Sequence, residues 1–229
     1  MSELPDVPFR LILTGATGMV GEGVLLEALG NPHVSEVLII NRRPSGITHP
    51  KLREILHADF MDIRPLVAQV RGYDACFFCL GVSSVGMKEA PYYELTHELT
   101  LHVAGVLVKE NPSMTFCYIS GAGTDSSENG KLMWARVKGK TENDLMKLPF
   151  KKVYNFRPGI LVPTKGQKNI LKVYHYLGWL TPMIKKIAPN QVCTLSQLGK
   201  AMIQVVRVGY GSSTLEVKDI LKISEDGSV

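Results

Sequence analysis

The sequence has few of the features that mark secreted, membrane-spanning or disordered chains. Its 229 residues include only four cysteines, and these have no regular spacing. A disulfide framework is therefore not expected, and the cysteine usage favours a reducing compartment, here predicted to be cytoplasmic. No apolar run approaches the ~18 residues of a membrane-spanning helix. The acidic, proline-containing start at residues 1–6 is not the pattern of a secretory signal.

Internal repeats, low-complexity tracts and blocks of like charge are also missing. The chain is 45% hydrophobic and 21% charged, with a formal net charge of +5. These values exclude a largely disordered state and allow a substantial core. The positive charge suits an anionic ligand, but the basic residues are spread out and no nucleic-acid reader motif is present. We therefore expect a small-molecule partner and no nucleic acid.

Apolar runs of strand length alternate with longer amphipathic stretches, which is typical of β-α-β units on a parallel sheet. Strands are predicted at residues 9–13, 37–40, 54–57, 75–80, 114–119 and 152–156. Long helices are predicted at about 91–110, 131–148 and 194–208, the last of them starting at the N-cap residue Thr194. The expected organisation is one α/β domain over residues 1–229, in which residues 160–229 form a small substrate-side lobe.

A glycine-rich loop joins the first strand to the first helix, with glycines at positions 15, 18 and 21. A diphosphate must approach the backbone closely there, and the start of the helix offers free N–H groups and a positive dipole end. The loop predicts a dinucleotide site and a Rossmann-type doubly wound parallel sheet, with an ordinary tight turn as the alternative. The positions expected to contact the ligand are Gly15, Thr17, Gly18, Met19, Val20 and Gly21.

The residues after the second predicted strand indicate which dinucleotide binds. In NAD-binding proteins an acidic residue about 20 positions beyond the glycine loop holds the adenosine ribose hydroxyls. This chain has Asn41-Arg42-Arg43 there. No carboxylate would repel a 2′-phosphate, and the Arg42 guanidinium offers a planar set of donors for one. The pattern favours NADP over NAD, with Arg42 and Arg43 as candidate ligands, and two solvated arginines are the alternative.

Further motifs, together with this loop, resemble those of the short-chain dehydrogenase/reductase superfamily. They are the pair Asp59-Phe60, the triplet Cys79-Leu80-Gly81, Lys138, and the triplet Arg157-Pro158-Gly159. The chain is most similar to the extended and atypical branches, the NAD-dependent epimerase/dehydratase-like and NmrA-like proteins. The resemblance covers residues 9–160 well and the remainder loosely.

The resemblance implies a role for each of these residues. The positions that would line the adenosine half are Asp59, Phe60, Leu80 and Gly81, and those that would lie near the nicotinamide are Pro158, Gly159 and Ile160. Asp59 would meet the adenine amino group and Phe60 the adenine edge. Lys138 would hold the hydroxyls of the nicotinamide ribose.

The catalytic pattern of the family is altered in this chain. The family uses a tyrosine and a lysine four residues apart on one helix face, with a serine at the end of the fifth strand. The lysine lowers the phenol pKa, so that the tyrosine exchanges a proton with the substrate near neutral pH. Here Trp134 stands four residues before Lys138, and an indole N–H is a donor only. Gly121 aligns with the serine and Ser120 lies one residue early, so the candidate catalytic residues are Lys138, Ser120 and Trp134.

Three explanations for this departure are open. In the first, another group supplies the proton, the candidates being Tyr92, Tyr93, His97, Thr124, Ser126 and Ser127. In the second, water supplies it, without the roughly 10²–10⁴-fold that a positioned acid contributes. In the third, the protein binds NADP and a partner without turnover. Trp134 either stacks on the nicotinamide or a planar substrate, or simply packs.

The sequence therefore predicts an NADP-dependent reductase or epimerase-like enzyme for a small carbonyl or hydroxyl compound. The alternative is an NADP-sensing regulatory or assembly protein. Residues 165–186 mix lysines with aromatic side chains and are broken by Gly178 and Pro182. We expect this segment to form a flap over the substrate site or a contact within a homo-oligomer, and membrane-surface docking is the less favoured alternative.

Cys76 and Cys79 form a C-x-x-C pair, but we expect no metal site. The pair lies in an apolar strand, where positions three apart face opposite sides. The chain has no second such pair, and its histidines lack the spacing of metal ligands. Buried structural thiols are the expectation.

Overall fold

The computed structural model describes residues 7–164, 166–170 and 191–226. Its strands are β1 (Phe9–Thr14), β2 (Val34–Asn41), β3 (Leu52–Leu56), β4 (Ala75–Phe78), β5 (Thr115–Ile119), β6 (Lys152–Arg157), β7 (Ile160–Val162), β8 (Val192–Thr194) and β9 (Thr214–Glu216). Its helices are α1 (Met19–Gly30), α2 (Val67–Val70), α3 (Glu89–Tyr93), α4 (Leu99–Glu110), α5 (Met133–Leu145), α6 (Leu195–Val208) and α7 (Val217–Asp226). A 3₁₀ turn at Arg64–Leu66 leads into α2, and a π turn at Glu94–Glu98 joins α3 to α4.

Seven strands form one parallel sheet in the order β3-β2-β1-β4-β5-β6-β9. The chain moves outward from β1 in one direction and then, from β4 onward, in the other. The carboxyl ends of β1 and β4 therefore border the crevice where open α/β sheets bind their ligands. The predicted Rossmann-type doubly wound parallel sheet is confirmed.

The sheet is covered on both faces, because successive side chains of a strand point to opposite sides. On β1, Leu11 and Leu13 pack in the apolar layer that contains α1 and α6. Ile12 packs in the opposite layer, which contains α4. All three side chains are fully buried. Both faces are thus filled by core packing, which leaves the ends of the strands for a binding site.

Helix α6 begins as predicted, directly after Thr194. The Thr194 hydroxyl accepts a hydrogen bond from the backbone N–H of Gln197 at 3.0 Å, and the Gln197 side chain accepts one from the Thr194 N–H at 2.9 Å. This reciprocal capping box satisfies N–H groups that the helix cannot pair internally. The predicted long helix at 91–110 is also present, but its path through α3 and α4 includes the π turn.

The C-terminal part is divided between two sheets. β7 and β8 form a separate parallel pair, whereas β9 pairs with β6 and extends the main sheet. β9 is only three residues long, with Leu215 as its one buried residue, and so has no detectable pattern in the sequence. Most of the aromatic and basic segment 165–186 lies outside the described residues, so the flap and the lobe boundary stay predictions. No helix in the described ranges is long and apolar enough to cross a membrane.

Candidate dinucleotide-binding site

The glycine loop lies at the carboxyl end of β1, where close backbone contacts require glycine. Gly15 has a φ of +75°, and a Cβ atom on it would lie 2.6 Å from the carbonyl oxygen of Cys79. A Cβ atom on Gly21 would lie 2.1 Å from the carbonyl oxygen of Gly15. Neither contact can be relieved by rotating a side chain, because both involve backbone atoms. These two glycines therefore bring the loop, the end of β4 and the start of α1 together.

Gly18 forms the open side of the loop. It is exposed, and as the N-cap of α1 it provides no side-chain hydrogen bond. The first N–H groups of a helix have no partner within the helix, and the helix dipole makes this end attractive to an anion. The glycines of the loop, which have no Cβ atom, and the uncapped helix start fit the diphosphate of a dinucleotide.

The two candidate arginines follow β2 at the same edge of the sheet, because Thr14 of β1 pairs with Ile40 of β2. Arg42 and Arg43 are exposed, and neither forms an ion pair with a described residue. Sequence reasoning missed one carboxylate here. Glu54 on β3 accepts hydrogen bonds from the Asn41 side-chain amide at 3.0 Å and from the Ser45 N–H at 2.8 Å.

The residues expected around the adenosine half lie beyond β3 and β4. Asp59 is exposed and accepts a hydrogen bond from the Met61 N–H at 2.9 Å. Phe60 is only 5% exposed, and its ring packs in the core layer that contains α4. The buried ring explains Phe60 by core packing, and a contact with the adenine edge stays a prediction. Leu80 is half-buried and Gly81 is exposed directly after β4.

The expected nicotinamide segment, Pro158 to Ile160, follows β6. The Pro158 carbonyl accepts a hydrogen bond from the Ala122 N–H at 2.8 Å, so the segment is tied to the end of β5. A Cβ atom on Gly159 would lie 2.3 Å from the carbonyl oxygen of Gln191. Ile160 is 44% exposed. Glycine at 159 is therefore explained by packing, and contact with the nicotinamide stays a prediction.

Trp134 and Lys138 lie one helical turn apart on α5, as the spacing predicts. Lys138 is half-buried, and its ammonium donates a hydrogen bond to the carbonyl oxygen of Ser120. Burial lowers the pKa of Lys138 to about 8, although the nearby Glu142 carboxylate acts in the opposite direction. Lys138 is therefore expected to lose its charge as the pH rises through about 8.

The edge of the Trp134 ring packs against Gly123, which is one of the residues that line a cleft. Its Cη2 atom lies 3.5 Å from the position of a Cβ atom on Gly123. The cleft measures about 340 Å³, and its lining residues are Ala122, Gly123, Gln191, Glu216, Val217 and Lys218. Gly121, which aligns with the family serine, has no neighbour closer than 4.0 Å to the position of its absent Cβ atom. The cleft lies between the end of β5 and the start of α7.

A network of buried polar side chains supports this region, and its central carboxylate, Glu142, escaped the sequence analysis. The Ser120 hydroxyl lies within hydrogen-bond distance of the Glu142 carboxylate and the Phe156 carbonyl oxygen. Glu142 also accepts hydrogen bonds from Nε and a terminal nitrogen of Arg157. Arg157 pairs in addition with Glu216 at 3.2 Å. The signal for Glu142 was its position one turn beyond Lys138, on the helix face that packs against the sheet.

The other hydroxyl groups proposed as proton sources after β5 already have partners. Thr124 donates to the Gly121 carbonyl oxygen at 2.7 Å, and Ser126 accepts a hydrogen bond from Arg157. Ser127 donates to the Asp125 carboxylate at 2.6 Å. Ser120 is likewise engaged and 5% exposed. In this arrangement these hydroxyls support the loop, and a catalytic role for any of them stays a prediction.

The proton-source candidates near α4 lie in a separate cluster. Tyr92 is 1% exposed, and burial raises its pKa. Tyr93 stacks on His97 with ring centroids 4.5 Å apart. His97 forms a hydrogen bond with Asp144 at 2.8 Å through Nε2. The π turn brings Tyr93 and His97 together against α5, and neither lines the cleft beside Trp134.

The cysteine pair divides between the two faces of the sheet, as expected. Cys76 packs in the layer that contains α4, whereas Cys79 packs against the layer that contains α1. Burial raises the pKa of both thiols. Among the described residues no group of three or more side chains could hold a metal ion.

The fold and this site together define an α/β protein that binds a nicotinamide dinucleotide. A sequence model of the NAD dependent epimerase/dehydratase family matches residues 11–130, and the chain belongs to that family. The resemblance to atypical, epimerase-like members of the short-chain dehydrogenase/reductase superfamily is thereby confirmed.

Relatives and solved structures agree with this assignment. The chain is 27% identical to "Protein fmp52, mitochondrial" of Emericella nidulans over 162 residues, which are 66% of each protein. It is 27% identical to "Protein HTATIP2" of Rattus norvegicus over 154 residues, 66% of this chain and 62% of that protein. The chain thus spans just under two thirds of the length of these relatives. MoeE5 in complex with UDP-glucuronic acid and NAD has the same fold, with a TM-score of 0.65, 15% identity, and coverage of 96% of this chain and 82% of that one.

The predicted cytoplasmic location is wrong by this comparison. Several matched FMP52 relatives from fungi are named as mitochondrial proteins. The cysteine count could not distinguish these compartments, because unpaired buried thiols are compatible with both.

Proposed function

We propose that this protein binds NADP and acts as a reductase or epimerase-like enzyme on a small carbonyl or hydroxyl compound. The observation that carries the proposal is the pair of exposed arginines, Arg42 and Arg43, at the carboxyl end of β2 beside the glycine loop. Neither guanidinium is paired with a described residue, so both are available to a 2′-phosphate. A bidentate guanidinium–phosphate contact is among the stronger charge-assisted hydrogen bonds.

The nearby Glu54 carboxylate limits this preference without removing it. Its Oε1 atom already accepts hydrogen bonds from Asn41 and Ser45. Two donors partly offset its charge, but a 2′-phosphate in the same region would still be repelled by it. NADP selectivity therefore depends on the balance between the Arg42 and Glu54 charges, which have opposite effects.

The remainder of the site supports handling of a small substrate. When bound, the nicotinamide supplies or accepts a hydride. In this proposal the Lys138 ammonium on α5 donates to the nicotinamide ribose, and the glycine loop holds the diphosphate. Trp134 packs behind Gly123, which lines the cleft of about 340 Å³ where we place a substrate.

Calorimetric dissociation constants for NADPH and NADH test whether the Arg42 and Glu54 charges set the preference for NADP. Arg42→Ala is expected to weaken NADPH binding by about 10-fold or more, because a hydrogen bond to a charged group contributes about 1.5–3 kcal/mol, and to leave NADH within about twofold. Glu54→Gln is the matched control, because it removes a negative charge where Arg42→Ala removes a positive one. It should strengthen NADPH binding relative to NADH. An equal loss of both dinucleotides in Arg42→Ala would contradict the NADP assignment, and binding of neither by the wild type would contradict the proposal.

A second candidate function is an NADP-sensing regulatory protein without turnover. It is favoured by Trp134 at the tyrosine position and by the hydrogen-bonded state of the hydroxyl groups at Ser120, Thr124, Ser126 and Ser127. NADPH oxidation with a panel of small aldehydes, ketones and sugars separates the two. Tight NADPH binding with no oxidation across the panel would favour the regulatory role.

A further inference from the structure

The polar network between α5 and β6 points to a residue that positions the nicotinamide half of the ligand. We propose that Glu142 is a positioning residue: paired with Arg157, it holds the end of β6 against the helix that carries Lys138. The inference rests on the proposed function, because it assumes a dinucleotide whose nicotinamide ribose meets Lys138.

The first observation is the place of Glu142 on α5. Trp134, Lys138 and Glu142 follow one another at four-residue intervals, so all three lie on one helix face. Glu142 is 2% exposed. A carboxylate so deeply buried requires compensation, and here every partner comes from the region expected around the nicotinamide.

The second observation is the set of partners. Arg157 Nε lies 3.0 Å from Glu142 Oε1, and a terminal nitrogen of Arg157 pairs with Glu142 Oε2. The Ser120 hydroxyl contacts the same carboxylate, while the Ser120 carbonyl accepts the Lys138 hydrogen bond. One carboxylate thus connects the end of β5, the end of β6 and, through Ser120, the Lys138 ammonium.

The third observation is the position of Arg157 in the chain, directly before the expected nicotinamide segment, Pro158 to Ile160. Arg157 also pairs with Glu216 on the wall of the cleft. A shift of Arg157 would therefore move both the segment and the cleft wall. Buried ion pairs are weak contributors to stability, since desolvation offsets much of their attraction. A positioning role accounts for this pair better than a stabilising one.

Binding measurements with NADPH and with adenosine 2′,5′-bisphosphate test the inference without a known substrate. The bisphosphate reports the adenosine half alone, whereas NADPH reports both halves. Glu142→Gln is expected to weaken NADPH binding at least tenfold while leaving the bisphosphate within twofold. Equal weakening of both ligands, or no change in either, would overturn the proposal. Failure of the wild type to bind NADPH would instead overturn the proposed function.

A matched control comes from the opposite end of the sheet. Glu36 pairs there with Arg10 at 3.3 Å and with Arg53 at 3.2 Å, away from the glycine loop and α5. Glu36→Gln removes a carboxylate from a more exposed network, which also includes the Tyr73 hydroxyl, so it should lower the melting temperature without changing the ratio of the two dissociation constants. A changed ratio in Glu36→Gln would show that the ratio reports general destabilisation, and the proposal would fail.

The pH dependence of NADPH binding supplies a readout that loss of stability does not produce. The Glu142 charge raises the pKa of Lys138, whereas burial lowers it to about 8. Removing that charge should move the alkaline loss of NADPH binding to lower pH, and an unmoved pH profile in Glu142→Gln counts against the proposal.

A second variant, Ser120→Ala, keeps the proposal testable if Glu142→Gln does not fold. It removes only one partner of the carboxylate and should reduce the ratio of NADPH affinity to bisphosphate affinity about threefold. An unchanged ratio in Ser120→Ala would then overturn the inference.

Discussion

The carbonyl oxygen of Cys79 lies 2.6 Å from the position that a Cβ atom on Gly15 would occupy. The end of β4 therefore packs directly on the glycine loop, at the point where the strand order of the sheet reverses. This contact fixes the loop relative to the crevice, and it depends on both the missing side chain and the positive φ of Gly15.

Replacing Gly15 by alanine should therefore damage both folding and binding. The clash with backbone atoms and the φ of +75° together predict a loss of about 2 kcal/mol or more in the free energy of unfolding. NADPH binding should fall below detection in calorimetry. Gly105→Ala is the control, because a Cβ atom there meets nothing within 4 Å in the middle of α4. It should raise stability by about 0.5–1 kcal/mol, and an equal result for the two variants would contradict the packing explanation.

NADPH binding should weaken as the pH rises through about 8. The pKa of Lys138 is lowered to about 8 by burial, so the ammonium that would donate to the ribose is present below that pH and lost above it. Titration of NADPH affinity from pH 6 to 10 would measure this change. Lys138→Arg keeps a permanent charge and should show no alkaline loss in this range, whereas Lys138→Met should bind weakly at every pH. An alkaline loss that persists in Lys138→Arg would assign the titration to another group.

Trp134→Tyr should create or increase carbonyl reduction. A phenol one turn before Lys138 restores the proton donor of the family, and a positioned acid contributes roughly 10²–10⁴-fold to the rate. The measurement is NADPH oxidation with the carbonyl panel. Trp134→Phe provides the same ring without the hydroxyl and should show no gain. A gain of equal size in Trp134→Phe would mean that the cleft was merely enlarged.

Glu22→Gln should loosen the segment that follows β7. The buried Glu22 carboxylate accepts hydrogen bonds from the backbone N–H groups of Lys168 at 2.8 Å and Asn169 at 2.7 Å. A glutamine amide places an NH₂ group against one of these donors, at a cost of about 1–3 kcal/mol. Denaturant unfolding and hydrogen exchange at these two amides would measure the effect.

Glu27→Gln on the same helix provides the comparison for Glu22. Its carboxylate accepts one hydrogen bond from the Ser196 hydroxyl at 2.7 Å, and a glutamine oxygen can accept the same bond. The cost should therefore be below about 1 kcal/mol. Unchanged exchange at Lys168 and Asn169 in Glu22→Gln would show that this carboxylate does not hold the segment.

The sequence by itself determined the features that depend on neighbouring residues. The strand and helix alternation, the glycine spacing at 15, 18 and 21 and the start of α6 after Thr194 follow from local propensity, close backbone approach and capping. The separation of Cys76 and Cys79 between the two faces followed from the two-residue period of a strand.

Only the tertiary structure decided which distant residues meet. Glu54 reaches Asn41 because β2 and β3 pair in parallel register, and Glu142 reaches Arg157 because α5 packs beside the end of β6. Glu22 meets Asn169 across a separation of 147 positions. Such contacts depend on strand register and on helix placement in three dimensions, and no local pattern encodes either. The contacts of Glu54, Glu142 and Glu22 are therefore properties of the fold.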